Sequence, residues 1–100
     1  MKKYRKKPVI IEAVKLTKDN IREVYEELNG KIELKSRIDH EKWYDYEMIV
    51  EREGIDVNTP EGTVKLKIGS YLVKGYSKKL GYHYWPVDAD YFVQSYELAE

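Results

Sequence analysis

The stretch Asn20-Ile21-Arg22-Glu23-Val24-Tyr25-Glu26-Glu27-Leu28-Asn29-Gly30 decides the fold class. Ile21, Val24, Tyr25 and Leu28 recur at i, i+3, i+4 and i+7, which places them on one stripe of a helix. Arg22, Glu23, Glu26 and Glu27 fall on the other side. Asp19 or Asn20 is placed to cap the start, with Glu23 three residues after Asn20. Asn29-Gly30 suits the end, because glycine tolerates the left-handed backbone. The acidic residues run on to Glu27, which the helix dipole opposes at that end. The apolar stripe outweighs it.

Around this helix the pattern changes period. Pro8 to Leu16 reads as a central strand with apolar groups on both faces, interrupted at Glu12 and Lys15. Ile32 and Leu34 alternate with lysine and glutamate and predict a half-buried strand. Arg37 to Tyr46 is polar and aromatic and reads as a loop or hairpin tip, where Trp43, Tyr44 and Tyr46 have weaker packing reasons. Met48 to Glu51 and Ile55 to Val57 predict short strands. Thr59-Pro60-Glu61-Gly62 is a tight turn with proline at its second position. Val64, Leu66 and Ile68 alternate with Lys65 and Lys67, the pattern of an amphipathic strand. Gly69-Ser70 turns the chain into the strand Tyr71 to Lys74. Gly75 to Gly81 reads as a basic hairpin loop, Tyr82 to Trp85 as its return, and Pro86 as its stop. Asp88 or Asp90 suits the cap of one helical turn at Tyr91-Phe92, and Ser95 to Leu98 reads as an edge strand. The expected architecture is α+β: a largely antiparallel β-sheet with one amphipathic helix packed on a face. The stripe is expected to face a sheet containing Val9, Ile11 and Leu66.

One hundred residues suit a single domain with one modest core. Hydrophobic residues at 42% against 36% charged place the chain among globular proteins. Net charge is zero, so the molecule as a whole gives no strong nucleic-acid signal. Its distribution is uneven. Lys2, Lys3, Arg5, Lys6 and Lys7 form a basic N-terminal arm over residues 1–7, and Glu23, Glu26 and Glu27 an acidic group. The arm is read as a solvated end, with Arg5, Lys6 and Lys7 as candidate anion contacts. The absence of cysteine excludes disulfides and thiolate metal sites, and fits a reducing compartment. The run Pro8-Val9-Ile10-Ile11 breaks at Glu12, too short for a signal-peptide core, and no run approaches the roughly 20 apolar residues of a membrane span.

Catalytic and cofactor patterns are not found. His40 and His83 stand far apart, and would share a metal only if the fold joined them. Ser36, Ser70, Ser77 and Ser95 lie in no nucleophile elbow. The carboxylate pairs Asp56 with Glu61 and Asp88 with Asp90 are explained by turn and cap duty. Gly69 and Gly75 flank a strand, not a phosphate loop. The reading is therefore a non-enzymatic binding protein without a cofactor or metal.

The candidate site is the hairpin from Tyr71 to Trp85, which interleaves aromatic and basic groups. Ten tyrosines and two tryptophans against one phenylalanine favour rings with polar tips, suited to recognition surfaces. Tyr76, Lys78, Lys79, Tyr82, His83 and Tyr84 are the candidate ligand contacts, with Lys74 as a further anion contact. Flat rings stack on bases and ammonium groups meet phosphates. A tyrosine-rich sheet whose rings fill a small core explains the same residues. Tyr71 and Trp85 in particular suit packing.

Two segments resemble a family of small bacteriophage and prophage proteins. The first is Tyr4-Arg5-Lys6-Lys7-Pro8-Val9-Ile10-Ile11-Glu12-Ala13, similar to a family opening of an aromatic residue, then RKKPV and IEA. The second runs from Thr59-Pro60-Glu61-Gly62 through Gly69-Ser70-Tyr71-Leu72-Val73-Lys74-Gly75 to Trp85-Pro86, Asp90, Phe92 and Ser95-Tyr96-Glu97, similar to a tail of D-x-F-x-x-T-Y-E. About half of the chain is covered. Ser70 replaces a common aspartate, Ser95 replaces the threonine, the hairpin Ser77 to Tyr84 is longer than usual, and Lys31 to Asp56 carries no resemblance. No catalytic residues come with this family. The resemblance implies a phage-encoded protein acting in the cytoplasm of a bacterial host. The expected role is a counter-defence inhibitor that sequesters a nucleotide immune signal. The rival readings are an inhibitor or adaptor that binds a host defence protein, and a small nucleotide-cleaving hydrolase. Open strand edges suggest a homo-oligomer.

Overall fold

A computed structural model describes residues 1–5 and 9–99. Lys6, Lys7 and Pro8 lie outside the described residues, so two of the candidate anion contacts and the expected strand start do as well. The elements in chain order are β1 (Glu12–Lys15), α1 (Ile21–Asn29), α2 (Arg37–Glu53), β2 (Ile55–Thr59), β3 (Gly62–Leu66), β4 (Tyr71–Ser77), β5 (Gly81–Val87) and α3 (Ala89–Ser95). The α+β class stands; among the described residues there are three helices where one helix and a single helical turn at Tyr91-Phe92 were expected, and two antiparallel sheets where one was expected. The larger sheet has the order β1-β4-β5 and the smaller is the β2-β3 hairpin.

Helix α1 follows its stripe. Ile21 and Val24 are buried, and Tyr25 and Leu28 are half-buried. Asn20 occupies the N-cap position, but its side chain does not cap. Its Oδ1 accepts from the Thr17 N–H at 2.8 Å and its Nδ2 donates to the Lys15 carbonyl at 2.8 Å, so it fixes the link from β1 instead. The stripe does not face Val9, which is exposed, nor a strand at Ile11. It packs into a cluster of Leu16, Val50, Ile55, Val57, Leu66 and Leu72, drawn from both sheets and from α2.

The middle segment overturns the sequence expectation. Arg37 to Tyr46 and Met48 to Glu51 together form the 17-residue helix α2, neither loop nor strand. Ser36 Oγ accepts from the Asp39 N–H at 3.1 Å, and the Asp39 carboxylate accepts from the Ser36 N–H at 3.2 Å, a reciprocal capping box. Trp43, Tyr46 and Val50 point to the core side at helical spacing. Trp43 and Tyr46 both contact Tyr25 at 5.3 Å between ring centres. These two aromatics therefore have packing reasons, while Tyr44 is exposed. Gly54 ends the helix at φ +88, and a Cβ there would strike the Leu66 backbone, so only glycine fits.

Ile32 and Leu34 form no strand. Their segment is an extended connection in which the Ile32 N–H donates to Glu26 at 2.9 Å and Arg22 donates to the Ile32 carbonyl at 3.1 Å. The β2-β3 hairpin turns at Pro60-Glu61 as expected, with Thr59 paired to Gly62. Strand β1 is a four-residue edge strand where a longer central one was expected. Strand β5 runs through Pro86, which a strand tolerates at the edge of a sheet because proline adds no N–H to the ladder. Helix α3 covers Ser95, and Tyr96 to Ala99 adds no strand. Asp88 caps α3 by accepting from the Asp90 N–H at 2.9 Å.

Candidate functional site

The register of β4 with β5 pairs Leu72 with Pro86, Val73 with Trp85, Lys74 with Tyr84, Gly75 with His83 and Tyr76 with Tyr82. Side chains alternate along a strand, so Leu72, Lys74, Tyr76, Tyr82 and Tyr84 share one face, and Tyr71, Val73, Gly75, His83 and Trp85 share the other. The strand extends to Ser77, which confines the expected basic loop to residues 78–80. The candidate contacts are thus separated. Six of the seven hairpin residues named from sequence lie on the first face or at the tip: Lys74, Tyr76, Lys78, Lys79, Tyr82 and Tyr84. Tyr84 shares the first face but is drawn into the core, and His83 lies on the second.

On the second face, the Trp85 indole lies across Gly75. A Cβ on Gly75 would meet Trp85 Cη2 at 2.7 Å, so glycine makes room for the ring. His83 stacks on Trp85 with ring centres 5.0 Å apart, and its Nδ1 stands 3.1 Å from the Gly81 carbonyl. Further inward, Tyr71 stacks on Phe92 of α3 at 3.8 Å and 9°. These rings serve packing.

On the first face, Tyr84 is half-buried against the core, and its hydroxyl donates to Glu27 of α1 at 2.9 Å. Lys74 Nζ stands 3.8 Å from the same carboxylate, 5.1 Å from the centre of the Tyr82 ring and 5.8 Å from that of Tyr84. Tyr82 and Tyr84 thus flank one ammonium, as same-face spacing predicts. Lys74 is held above its usual lysine range, first by the Tyr84 oxygen, against a partial loss of hydration, then by Glu27 and Glu12. Tyr84 is also pushed up, first by burial and then by its bond to Glu27. Both groups keep their protons far past neutral pH.

Beyond Lys74 the face is open. Tyr76 and Tyr82 contact each other at 5.1 Å and 60°, yet remain 60% and 72% exposed. Lys78 and Lys79 are exposed at the tip. A cleft of about 360 Å³ runs between these rings and the segment before β1, lined by Ile10, Ile11, Glu12, Lys74, Gly75, Tyr76 and Tyr82. Ile10 and Glu12 were not among the residues singled out from sequence. The signal was there in Glu12, a charge that interrupts an apolar run. A second crevice, about 190 Å³, lies between α1 and the sheet, with Glu12, Glu23 and Glu27 around Val14, Val24 and Leu72.

Arg5 is exposed. His40 is an exposed residue of α2 and His83 is stacked in the sheet. Among the described residues, no group of three or more histidine, aspartate or glutamate side chains is placed to hold a metal ion. Asp56 pairs with Lys65 at 2.8 Å, and Asp88 caps α3, so these carboxylates do structural work. No helix among the described residues is long and apolar enough to cross a membrane. Comparison with protein-family models, curated proteins and solved structures gives no match to this chain.

Proposed function

We propose that this chain is a non-catalytic binding protein that takes up a nucleotide on the outer half of the β4-β5 hairpin. The observation that carries the reading is the exposed Tyr76–Tyr82 ring pair, set between Lys74 and the tip lysines Lys78 and Lys79. Two large rings left in water at the end of a sheet cost solubility and add nothing to the core. Stacking a base on such a ring is worth about 1–3 kcal/mol, and exposed ammonium groups add phosphate attraction without a burial penalty.

The setting proposed with it is phage counter-defence in a bacterial host, supported by the resemblance of the two chain ends to phage proteins. The ligand is then a nucleotide defence signal held out of reach of its receptor. A host-protein partner is the second reading. It is favoured by the open β1 edge and by Val9 and Ile10 beside it, which are 63% and 82% exposed. The test is to expose the protein to lysate of infected cells, repurify it, release bound material by heat, and identify that material by mass spectrometry. An intact nucleotide that is absent from Tyr82→Ala protein is the expected result. A cleaved product points to the hydrolase reading. A comigrating host protein with no released small molecule overturns the nucleotide reading.

A further inference from the structure

Building on the nucleotide reading, we infer that the base is guanine, placed against the Tyr76–Tyr82 pair with its donor edge on Glu12. The cleft beside those rings has a volume of about 360 Å³. That falls within the range of small-ligand sites, roughly 300–1,000 Å³. Glu12 opens β1 directly across from Lys74, so its carboxylate stands at the cleft wall next to an ammonium.

The two carboxylates near Lys74 are not equivalent. Glu27 is engaged by the Tyr84 hydroxyl and by Lys74 itself. Glu12 is exposed and has no hydrogen-bond or ion-pair partner within contact distance among the described residues. An ionised carboxylate only accepts, and its two oxygens match two parallel N–H donors. Among the common bases, guanine alone offers two adjacent donors, N1–H and N2–H, on one edge. Its O6 acceptor lies next to them, on the side where an ammonium can donate. Adenine and cytosine each place a ring-nitrogen acceptor beside their single amino group, and that lone pair opposes the second carboxylate oxygen. Uracil offers one donor between two acceptors. A Glu12–Lys74 pair therefore selects guanine by hydrogen-bond pattern, while the rings supply stacking that any base would accept.

The same placement orients the rest of the ligand. Lys78 and Lys79 follow Tyr76 by two and three positions toward the tip. Both stand in the turn just past Ser77, the last residue of β4, so a 5′-phosphate that extends from the base toward the tip meets them there.

The experiment is calorimetric titration of the full chain with GMP, AMP, CMP, UMP and IMP at low salt, using wild type, Glu12→Gln and Tyr82→Ala. GMP is expected to bind at least about tenfold more tightly than the other nucleotides. IMP, which lacks the N2 amino group, is expected to fall to the AMP level. Glu12→Gln should remove most of the GMP preference while thermal melts stay unchanged, because the side chain is exposed. Tyr82→Ala should weaken all five nucleotides together. Equal binding of all bases, or a GMP preference that survives Glu12→Gln, overturns the guanine assignment and leaves the nucleotide reading standing. Failure of every nucleotide to bind folded wild-type protein overturns both.

Discussion

The inner and outer halves of the β4-β5 hairpin use the same residue types for opposite ends. In the inner half, Leu72, Val73 and Val87 are buried. Tyr71 stacks on Phe92, and Tyr84 is tied to Glu27. In the outer half, Tyr76 and Tyr82 contact each other, Lys74 lies over the Tyr82 ring, and the rings and the tip lysines remain exposed. The reason is length. Strand β4 has seven residues and β1 has four, so Gly75, Tyr76 and Ser77 extend past the strand beside them. A sheet that outruns its cover keeps an aromatic surface available for a ligand.

The sharpest contrast between the halves should appear in stability. Leu72 lies in the shared core, paired to Val14 and Pro86. Leu72→Ala should cost about 2–5 kcal/mol in urea unfolding, because the cavity cannot fully collapse. Tyr82→Ala, in the same hairpin, should change stability by no more than about 0.5 kcal/mol. Similar losses for the two variants would mean that the outer half also holds the fold together.

Gly75 marks the boundary between the halves. Gly75→Ala places a methyl group where the Trp85 ring now lies, at 2.7 Å from Cη2. The ring must lift or the strands must part, at a cost of about 1–3 kcal/mol by the usual scale of overpacking. Near-ultraviolet circular dichroism should show the Trp85 environment change. An unchanged spectrum and melt would show that the indole moves aside freely.

How far this division was legible in the sequence depends on whether the signal was local. The α1 stripe and the common face of Tyr82 and Tyr84 follow from periodicity, and the Pro60-Glu61 turn from its residue types; all three are present. Helix α2 was hidden because its outward surface carries Ile38, Tyr44, Met48 and Ile49, which blur the apolar stripe. Its start was nevertheless written in Ser36 and Asp39, whose capping box needs only a three-residue spacing. The strand expected at Ile32 and Leu34 failed for a different reason. Alternation shows that a segment can be a strand, but pairing requires a neighbouring edge, which sequence does not reveal. The same limit applied at the site. The hairpin's aromatic and basic composition was plain, and alternation alone puts His83 on the far face, but the sorting of Tyr84 into the core depends on where α1 sits. Glu12 joins the cleft only because β1 pairs with β4.

Binding should divide the halves the other way round. Tyr82→Ala should lower nucleotide affinity by about 1–3 kcal/mol, the loss expected for one stacking ring. Lys79→Gln should have a smaller effect that fades with added salt, since the tip is screened. Trp43→Ala, on α2 and away from the hairpin, should destabilise the fold without altering the affinity of the folded fraction. Loss of binding in folded Trp43→Ala with normal binding in Tyr82→Ala would move the site to the middle segment.

The smallest expected effect concerns the junction itself, where Glu27 joins Lys74 and Tyr84. Lys74 and Tyr84 both have their proton affinities raised on folding, above ordinary values of 10.5 and 10.0. A group whose affinity for its proton rises on folding stabilises the folded state fully below its unfolded value. That contribution is lost as pH climbs through the higher folded value. Lys65 and Tyr46 shift in the same direction in other parts of the fold, so the alkaline fall is shared. Asp39 is shifted the opposite way, mainly by N–H donors of Ser36 and Lys35, so its contribution is present above 3.8 and lost as pH falls through its lower folded value. Melting temperature should therefore change little from pH 6 to about 9 and decline above about 10. Glu27→Gln removes the charge that helps hold up Lys74 and Tyr84. Its stability deficit against wild type should be greatest at neutral pH and should close as both groups lose their protons. A deficit that stays constant through the alkaline limb would show that Glu27 acts by packing and not by charge. The junction would then belong wholly to the buried half.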